Sequence, residues 1–302
     1  MDKSLLVRII GFPITLLHGD TLVLDRWLWL THRLPKTKNG ETLLDIGCGT
    51  GAFTIGAALR GYECLGLSWD ERNQRVAGER ANICKAHSAK FEVLDVRRLD
   101  MMSDLLGRYD IAICLETIEH IIDDRKLLTD IAACLKPGGR LLLTTPYLLY
   151  RPITRGDMGP FSPVEDGGHV RRGYTPLMLE ELCKHAGLVV EQISYCSGFL
   201  SQKVTWLLRE LSRIHHLLGW AVVLPLRILP PLLDPLIHKL TNWPYFSITL
   251  EAYKPRYLER HAQQKPGGKT RMDPFPETES GPNKPLQPTP YSLRFAPASG
   301  RG

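Results

Sequence analysis

Leu43-Leu44-Asp45-Ile46-Gly47-Cys48-Gly49-Thr50-Gly51 decides how this chain is read. An apolar run ends in an acid, a glycine-rich turn follows, and Ala52 to Leu59 has the character of a helix. Glycines at 47, 49 and 51 let the backbone turn tightly and let a ligand approach it closely. The spacing is G-x-G-x-G, not the G-x-G-x-x-G of dinucleotide sites. Asp45 sharpens the choice. A carboxylate just before the loop repels a pyrophosphate and suits a ligand with positive charge.

A nucleoside ligand bearing an ammonium and a sulfonium is S-adenosylmethionine (SAM). Asp45, Gly47, Cys48, Gly49 and Gly51 are therefore the expected heart of a SAM site, with Cys48 chosen there for its small size. Further strand and turn signals follow in order. Tyr62 to Leu67 reads as a second strand, Phe91 to Arg97 as a third with its exit and Tyr109 to Cys114 as a fourth. A helix is expected from Glu71 to Ala86. Leu115-Glu116-Thr117-Ile118-Glu119-His120 leaves the fourth strand, and Leu135-Lys136-Pro137-Gly138-Gly139-Arg140 is a helix stop and turn before a strand at Leu141 to Thr145.

From Leu43 to Lys254 this order resembles the class I SAM-dependent methyltransferases. The resemblance implies a Rossmann-like α/β fold, a doubly wound, mostly parallel sheet whose last strand is antiparallel. It implies that Ser68 or Asp70 holds the ribose, although Asp70 also reads as the N-cap of the following helix. Asp95 would accept from the adenine amino group while the Val96 backbone N–H meets the ring, and Leu115 would lie against the cofactor. A solvated Asp at the strand end is the plainer reading of Asp95. Gly66 to Gln74 departs from the usual pattern and looks like the variant of cyclopropane fatty acid synthases. Glu116, Glu119 and His120 resemble the E-x-x-E-H segment of ubiquinone-biosynthesis O-methyltransferases, some of which bind a divalent ion there. The same pattern occurs in methyltransferases without a metal, and no metal is expected here.

The second half is less regular. Pro146 to Arg172 is rich in Gly, Pro and charge and leaves the carboxyl edge of the sheet, as an active-site loop does. Thr175 and Pro176 open a helix that Gly187 ends, Leu188 to Cys196 is strand six, and strand seven is expected at Tyr245 to Tyr253. Between them lies an insertion, Ser197 to Pro244, with helical character at Lys203 to Leu218. Leu217 to Leu240 is very apolar but carries Pro225, Pro230, Pro231 and Pro235, so it is too broken to span a bilayer as one helix. Flanking Trp206, Trp220 and Trp243 with Arg209, Arg213, Arg227 and Lys239 suit peripheral contact with a membrane or a lipid-like substrate. A helical cap over the sheet or a dimer partner is the other reading. Residues 1–40 are expected to form an N-terminal helical cap, with an amphipathic helix at Leu22 to Leu34, and do not read as a cleaved signal.

Methyl transfer to oxygen needs a proton removed. His169 and His120 are the histidines placed to do so, with Glu116 as a third catalytic candidate; each also has a purely structural reading. The chain of 302 residues carries a formal charge of +6, but Lys254 to Gly302 holds nine Lys or Arg against four Asp or Glu. The body is thus near neutral, which excludes a broad nucleic-acid face. Residues 255–302 are proline-rich, lack any helical or strand period, and are expected to be disordered. The seven cysteines have no C-x-x-C spacing, which excludes a disulfide framework and fits a reducing cytoplasm. The expected activity is SAM-dependent methylation of a small aromatic or lipid-linked acceptor. The rivals are a SAM-binding scaffold without catalysis and carbon methylation of a lipid.

Overall fold

The computed structural model describes residues 5–17 and 21–256. Helices α1 (Leu5–Ile10), α2 (Pro13–Leu17) and α3 (Leu22–Arg33) precede strand β1 (Thr42–Ile46). There follow α4 (Ala52–Ala58), β2 (Glu63–Ser68), α5 (Glu71–Ile83), β3 (Ala89–Val93), β4 (Tyr109–Leu115), α6 (Asp124–Cys134), β5 (Leu135–Pro146), α7 (Pro176–His185) and β6 (Val189–Cys196). The insertion supplies α8 (Phe199–Ile214), α9 (His216–Leu226) and α10 (Leu229–Thr241), and β7 (Ser247–Tyr253) closes the sheet.

The strand order is β3-β2-β1-β4-β5-β7-β6. β1 pairs in parallel with both β2 and β4, whereas β7 runs antiparallel to β5 and β6. The sequence makes this sheet because its central strands are apolar on both sides, as a sheet covered by helices on both faces requires. Alternate residues serve opposite faces. Leu43, Ile111, Ile113 and Leu142 pack with Trp27, Leu30, Ile55 and Tyr62. Leu44, Ala112, Cys114 and Leu143 pack on the other face with Leu128, Ile131, Leu179 and Cys183. The chain reverses direction across the sheet between β1 and β4, where open α/β sheets bind ligands beyond their carboxyl ends.

Several element bounds differ from the sequence expectation, two of them for a local reason. β3 stops two residues before Asp95, because the Asp95 carboxylate accepts from the Arg97 N–H and opens a 3-10 turn. The Pro137-Gly138-Gly139 turn is absorbed into β5 as an irregularity, with Tyr109 opposite Leu135 and Ile111 already opposite Arg140. The apolar segment of the insertion is broken, as its prolines predict: α9 ends at Leu226 and α10 starts at Leu229. Pro230 and Pro231 stand in the first turn of α10, where an N–H is dispensable, while Pro225 sits inside the last turn of α9 and Pro235 inside α10. No single described helix is long and apolar enough to cross a membrane, and α9 and α10 meet at a 63° bend.

Buried polar contacts hold the insertion together and tie it to the body. Asp234 of α10 accepts from the N–H groups of Leu200 (2.6 Å) and Ser201 (3.1 Å), capping α8. Arg227, at the α9–α10 bend, donates to the Leu17 carbonyl at 2.8 Å. The expected disordered tail lies outside the described residues.

Candidate active site

Two cavities open at the carboxyl end of the sheet, on either side of one ion pair. The first, about 370 Å³, is lined by Asp45, Gly47, Cys48, Gly49, Phe53 and Leu115 among others. The second, about 650 Å³, lies under the loop after β5 and is lined by Glu119, His120, Tyr150, Asp157, His169 and Phe246 among others. Arg26 and Glu116 line both.

The glycine loop is shaped for the first cavity. Gly49 has φ +52° and a Cβ there would meet nothing within 4 Å, so its bare face looks into open space. Gly47 and Gly51 serve packing instead. A Cβ at Gly47 would lie 2.4 Å from Thr117 Oγ1, and one at Gly51 2.8 Å from the Phe91 ring. Asp45 is buried and accepts from Thr54 Oγ1 at 2.6 Å. Burial pushes its carboxyl up to about 7, partly offset by the Thr54 hydrogen bonds. A cationic ligand beside it would restore the charge.

The remaining sequence candidates do not line this cavity. Asp70 is the N-cap of α5, accepting from Arg72 N at 2.8 Å and Asn73 N at 3.1 Å, while Ser68 Oγ accepts from Asp70 N. Asp95 is held by Arg97, 2.5 Å from Oδ2, and Arg97 also pairs with Glu165 of the β5–α7 loop. That guanidinium holds the Asp95 carboxyl below its usual range. Val96 is buried in the core. Gln74, part of the departure from the usual pattern, is structural: its amide donates to the carbonyls of Gly66 (3.2 Å) and Glu92 (2.6 Å), tying α5 to β2 and β3.

Glu116 has φ +52°, a conformation that non-glycine residues rarely adopt. Its surroundings hold it there. Arg26 Nη2 lies 2.9 Å from Oε2, and Oε1 accepts from Thr144 Oγ1 (2.9 Å) and Ser247 Oγ (3.3 Å). Both Glu116 oxygens are thus engaged, and Arg26 is a residue of the site that the sequence analysis does not name. Its signal was a charged Asp25-Arg26 pair inside an otherwise apolar helix, although that pattern does not say where Arg26 points.

His120 and His169 meet edge to face, ring centroids 4.6 Å apart. The loop after β5 carries His169 back to β4: Val170 N donates to Glu119 O (3.0 Å), and the Gly168 carbonyl lies 3.0 Å from His120 Nδ1. That contact makes Nδ1 the protonated nitrogen of His120. Burial, reinforced by His120, pushes the pKa of His169 down to about 4, so its imidazole is neutral near pH 7. Glu119 is fully buried, accepts from Thr145 Oγ1 at 3.1 Å, and has Oε1 without a hydrogen-bond partner. Burial and the neighbouring Glu116 raise its carboxyl well above the ordinary range.

Ligand atoms of Glu119, His120 and His169 lie within 4.8 Å of one another. A carboxylate with two imidazoles is a donor set that divalent ions accept, and the orphaned Glu119 Oε1 fits such an ion. The expectation of no metal rests on the occurrence of the E-x-x-E-H pattern in methyltransferases without one, and that pattern does not show that the loop brings His169 to this pair.

The insertion reaches this cavity too. Arg209 of α8 lines it and pairs with Asp157 at 3.1 Å. Asp157 also accepts from the backbone N–H groups of Ile153 and Thr154 at 2.8 Å, so α8 and the loop share one anchor.

A methyltransferase-domain family model matches residues 23–193. Among curated relatives, the ubiquinone biosynthesis O-methyltransferase of Marinobacter nauticus is 26% identical over 159 residues, 51% of this chain and 66% of the relative. That of Leptothrix cholodnii is 28% identical over 117 residues, 39% of this chain and 48% of the relative. The chain thus spans about half to two thirds of these relatives' length. Among solved structures, the [4+2]-cyclase SpnF aligns with TM-score 0.53 at 19% identity over 78% of this chain and 82% of its own. Phosphoethanolamine N-methyltransferase 2 of Haemonchus contortus, solved with phosphomonomethylethanolamine and S-adenosylhomocysteine, aligns with TM-score 0.53 at 20% identity, covering 76% of this chain and 52% of that one. At such identities the alignments show the shared fold, and the differing chemistries named for it show that fold alone does not fix function.

Proposed function

Because this chain belongs to the methyltransferase-domain family, we propose that it transfers a methyl group from SAM to the oxygen of a small, ring-bearing or lipid-linked acceptor. The observation that carries the reading is the pair of cavities meeting at Arg26 and Glu116. One suits the cofactor, the other the acceptor, and the methyl crosses at their common wall.

When bound, SAM supplies an electrophilic methyl on sulfur. Asp45 faces the ligand's positive charge, Gly49 leaves the backbone open to it, and Arg26 offers a guanidinium to its carboxylate. On the acceptor side, Tyr150 and Phe246, ring centroids 4.6 Å apart, give an aromatic wall against which a ring can stack. His169 takes the acceptor hydroxyl proton as the oxygen–methyl bond forms and the sulfur–methyl bond breaks. A neutral imidazole is the form a base needs. His120 orients His169, while positioning by the loop and Glu116 brings the reacting atoms into line. A divalent ion on Glu119, His120 and His169 is the second reading, supported by the orphaned Glu119 Oε1. There it would polarise the acceptor oxygen.

α9 and α10 extend the acceptor reading towards lipids. Leu229, Leu232, Leu233, Leu236 and Leu240 form one stripe of α10 and are 40–75% exposed, beside exposed Leu218, Val222 and Ile228. We infer that this face rests on a membrane while Arg209 contributes to the acceptor cavity. Leu232→Ser, Leu236→Ser and Leu240→Ser together should release the protein from liposomes without lowering its melting temperature.

The enzymatic reading is tested by incubating the protein with SAM and a lipid-containing cell extract and measuring S-adenosylhomocysteine. Release above a His169→Ala control supports transfer. SAM binding without release would favour a scaffold. Loss of turnover on adding EDTA, with recovery on adding Mg²⁺ or Mn²⁺, would favour the metal-assisted step.

A further inference from the structure

Two cations share one indole at the edge of the insertion. The Arg151 guanidinium lies 4.3 Å from the centroid of the Trp243 ring and Lys203 Nζ lies 5.1 Å from it. They come from different elements, the loop after β5 and α8, and both are exposed. Among the described residues neither has an acid at ion-pair distance. The aromatic platform is fixed from several sides. Trp243 Nε1 donates to Gln202 Oε1 at 3.0 Å, the Trp243 carbonyl lies 2.8 Å from His238 Nδ1, and Phe199 packs edge-on at 4.9 Å. Gln202 is itself buried, its amide donating to the carbonyls of Ser197 and Pro244. Bringing two like charges to one ring is unfavourable unless an anion joins them, and the ring attracts each cation separately.

The position relates this pair to the apolar stripe of α10, which ends at Leu240, just before Trp243. α9 and α10 contain one acid between them, Asp234, and it is turned inward to cap α8. The exposed face therefore carries hydrocarbon, then an amphipathic indole, then positive charge, and no carboxylate of its own helices. That is the order met on passing from the acyl region of an anionic leaflet to its phosphates.

We propose that Arg151 and Lys203, held on Trp243, form a clamp for the phosphate of an anionic phospholipid headgroup. The clamp sets the insertion on the membrane at the depth where the acceptor cavity, lined by neighbouring Tyr150, meets the lipid surface. It rests on the membrane reading of α9 and α10 and adds the headgroup charge that reading leaves open.

The test is co-sedimentation of the full chain with vesicles of phosphatidylcholine alone or of three parts phosphatidylcholine to one part phosphatidylglycerol. Each basic side chain near an anionic leaflet adds about fivefold, so the pair should raise the wild-type preference for the anionic vesicles by about twenty-five-fold, and the preference should fall with salt. R151Q/K203Q should lose about twenty-five-fold of that preference and keep the wild-type binding to phosphatidylcholine, with melting temperature and SAM affinity unchanged. Should the double variant misfold, R151Q alone removes an exposed charge and should lose about fivefold. A double variant that keeps the wild-type preference overturns the clamp and leaves the membrane reading standing. A wild type that binds neither vesicle removes the membrane reading and the clamp with it. Calorimetric binding of inorganic phosphate, lost in R151Q/K203Q and unaccompanied by any vesicle binding, would assign the pair to a soluble phosphate and overturn the headgroup role.

Discussion

Asp45→Asn separates the ligand-binding role of the loop acid from its cost to the empty protein. Asp45 is 1% exposed and its carboxyl is pushed from the ordinary 3.8 to about 7. Below pH 4 both folded and unfolded chains carry the proton, and the group does not oppose folding. As the pH rises towards 7 the unfolded chain ionises first, so stability is lost over that window, by at most about 4 kcal/mol at 1.36 kcal/mol per pK unit. Asn is isosteric, cannot ionise, and still accepts from Thr54. The empty variant should therefore be more stable than the wild type at pH 8 by about 2–4 kcal/mol, or about 5–10 °C in melting temperature. SAM affinity should move the other way. Replacing a charge-assisted contact with a neutral one costs about 1.5–3 kcal/mol, a tenfold to hundredfold weaker Kd. Wild-type binding near pH 6 should also release a proton, visible as a calorimetric heat that depends on the buffer's ionisation enthalpy. A variant that melts below the wild type at pH 8, or binds SAM within twofold of it, would refute the assignment.

Further expectations follow from the same geometry. Gly49→Val should abolish SAM binding in a protein that still folds, because its side chain enters the cavity and its φ of +52° strains a β-branched residue; equilibrium dialysis checks this, and unchanged binding would remove the loop from the site. His169→Ala should lose turnover by about 10²–10⁴-fold with SAM affinity retained. In the wild type the acid limb of the rate should lie near pH 4 rather than 6.5, because the imidazole keeps its lone pair until then. A limb at 6.5 or above would show that another group limits the rate. Asp234→Ala removes the α8 cap and leaves the Leu200 and Ser201 N–H groups unpaired, a loss of about 1–3 kcal/mol in a denaturant titration. An unchanged midpoint would show that the insertion does not depend on it.

The sheet was legible because its signals are local. Leu43, Leu44 and Ile46 are apolar on both faces of a central strand, and an acid and three glycines mark its exit. Thr175, Pro176 and Gly187 delimit α7 by backbone chemistry that needs no tertiary partner. The helices of the insertion were harder, since proline counts do not distinguish a first turn, where Pro230 and Pro231 stand, from an interior. The candidate site was half legible. Asp45, Gly47, Cys48, Gly49 and Leu115 converge because one loop and one strand end carry them. Ser68, Asp70 and Asp95 came from family resemblance, and in this chain their side chains serve turns, caps and the Arg97 pair. Arg26, Glu119 with His169, and Arg209 with Asp157 arise from contacts between elements remote in sequence, which no spacing rule reaches.

The most direct test is a crystal structure with S-adenosylhomocysteine bound. The account predicts density for the methionine moiety against Gly47 to Gly49 and Asp45, with the sulfur turned towards the wall formed by Arg26 and Glu116 and the acceptor cavity beyond it. Density in any other cavity, or none at saturating ligand, would contradict it.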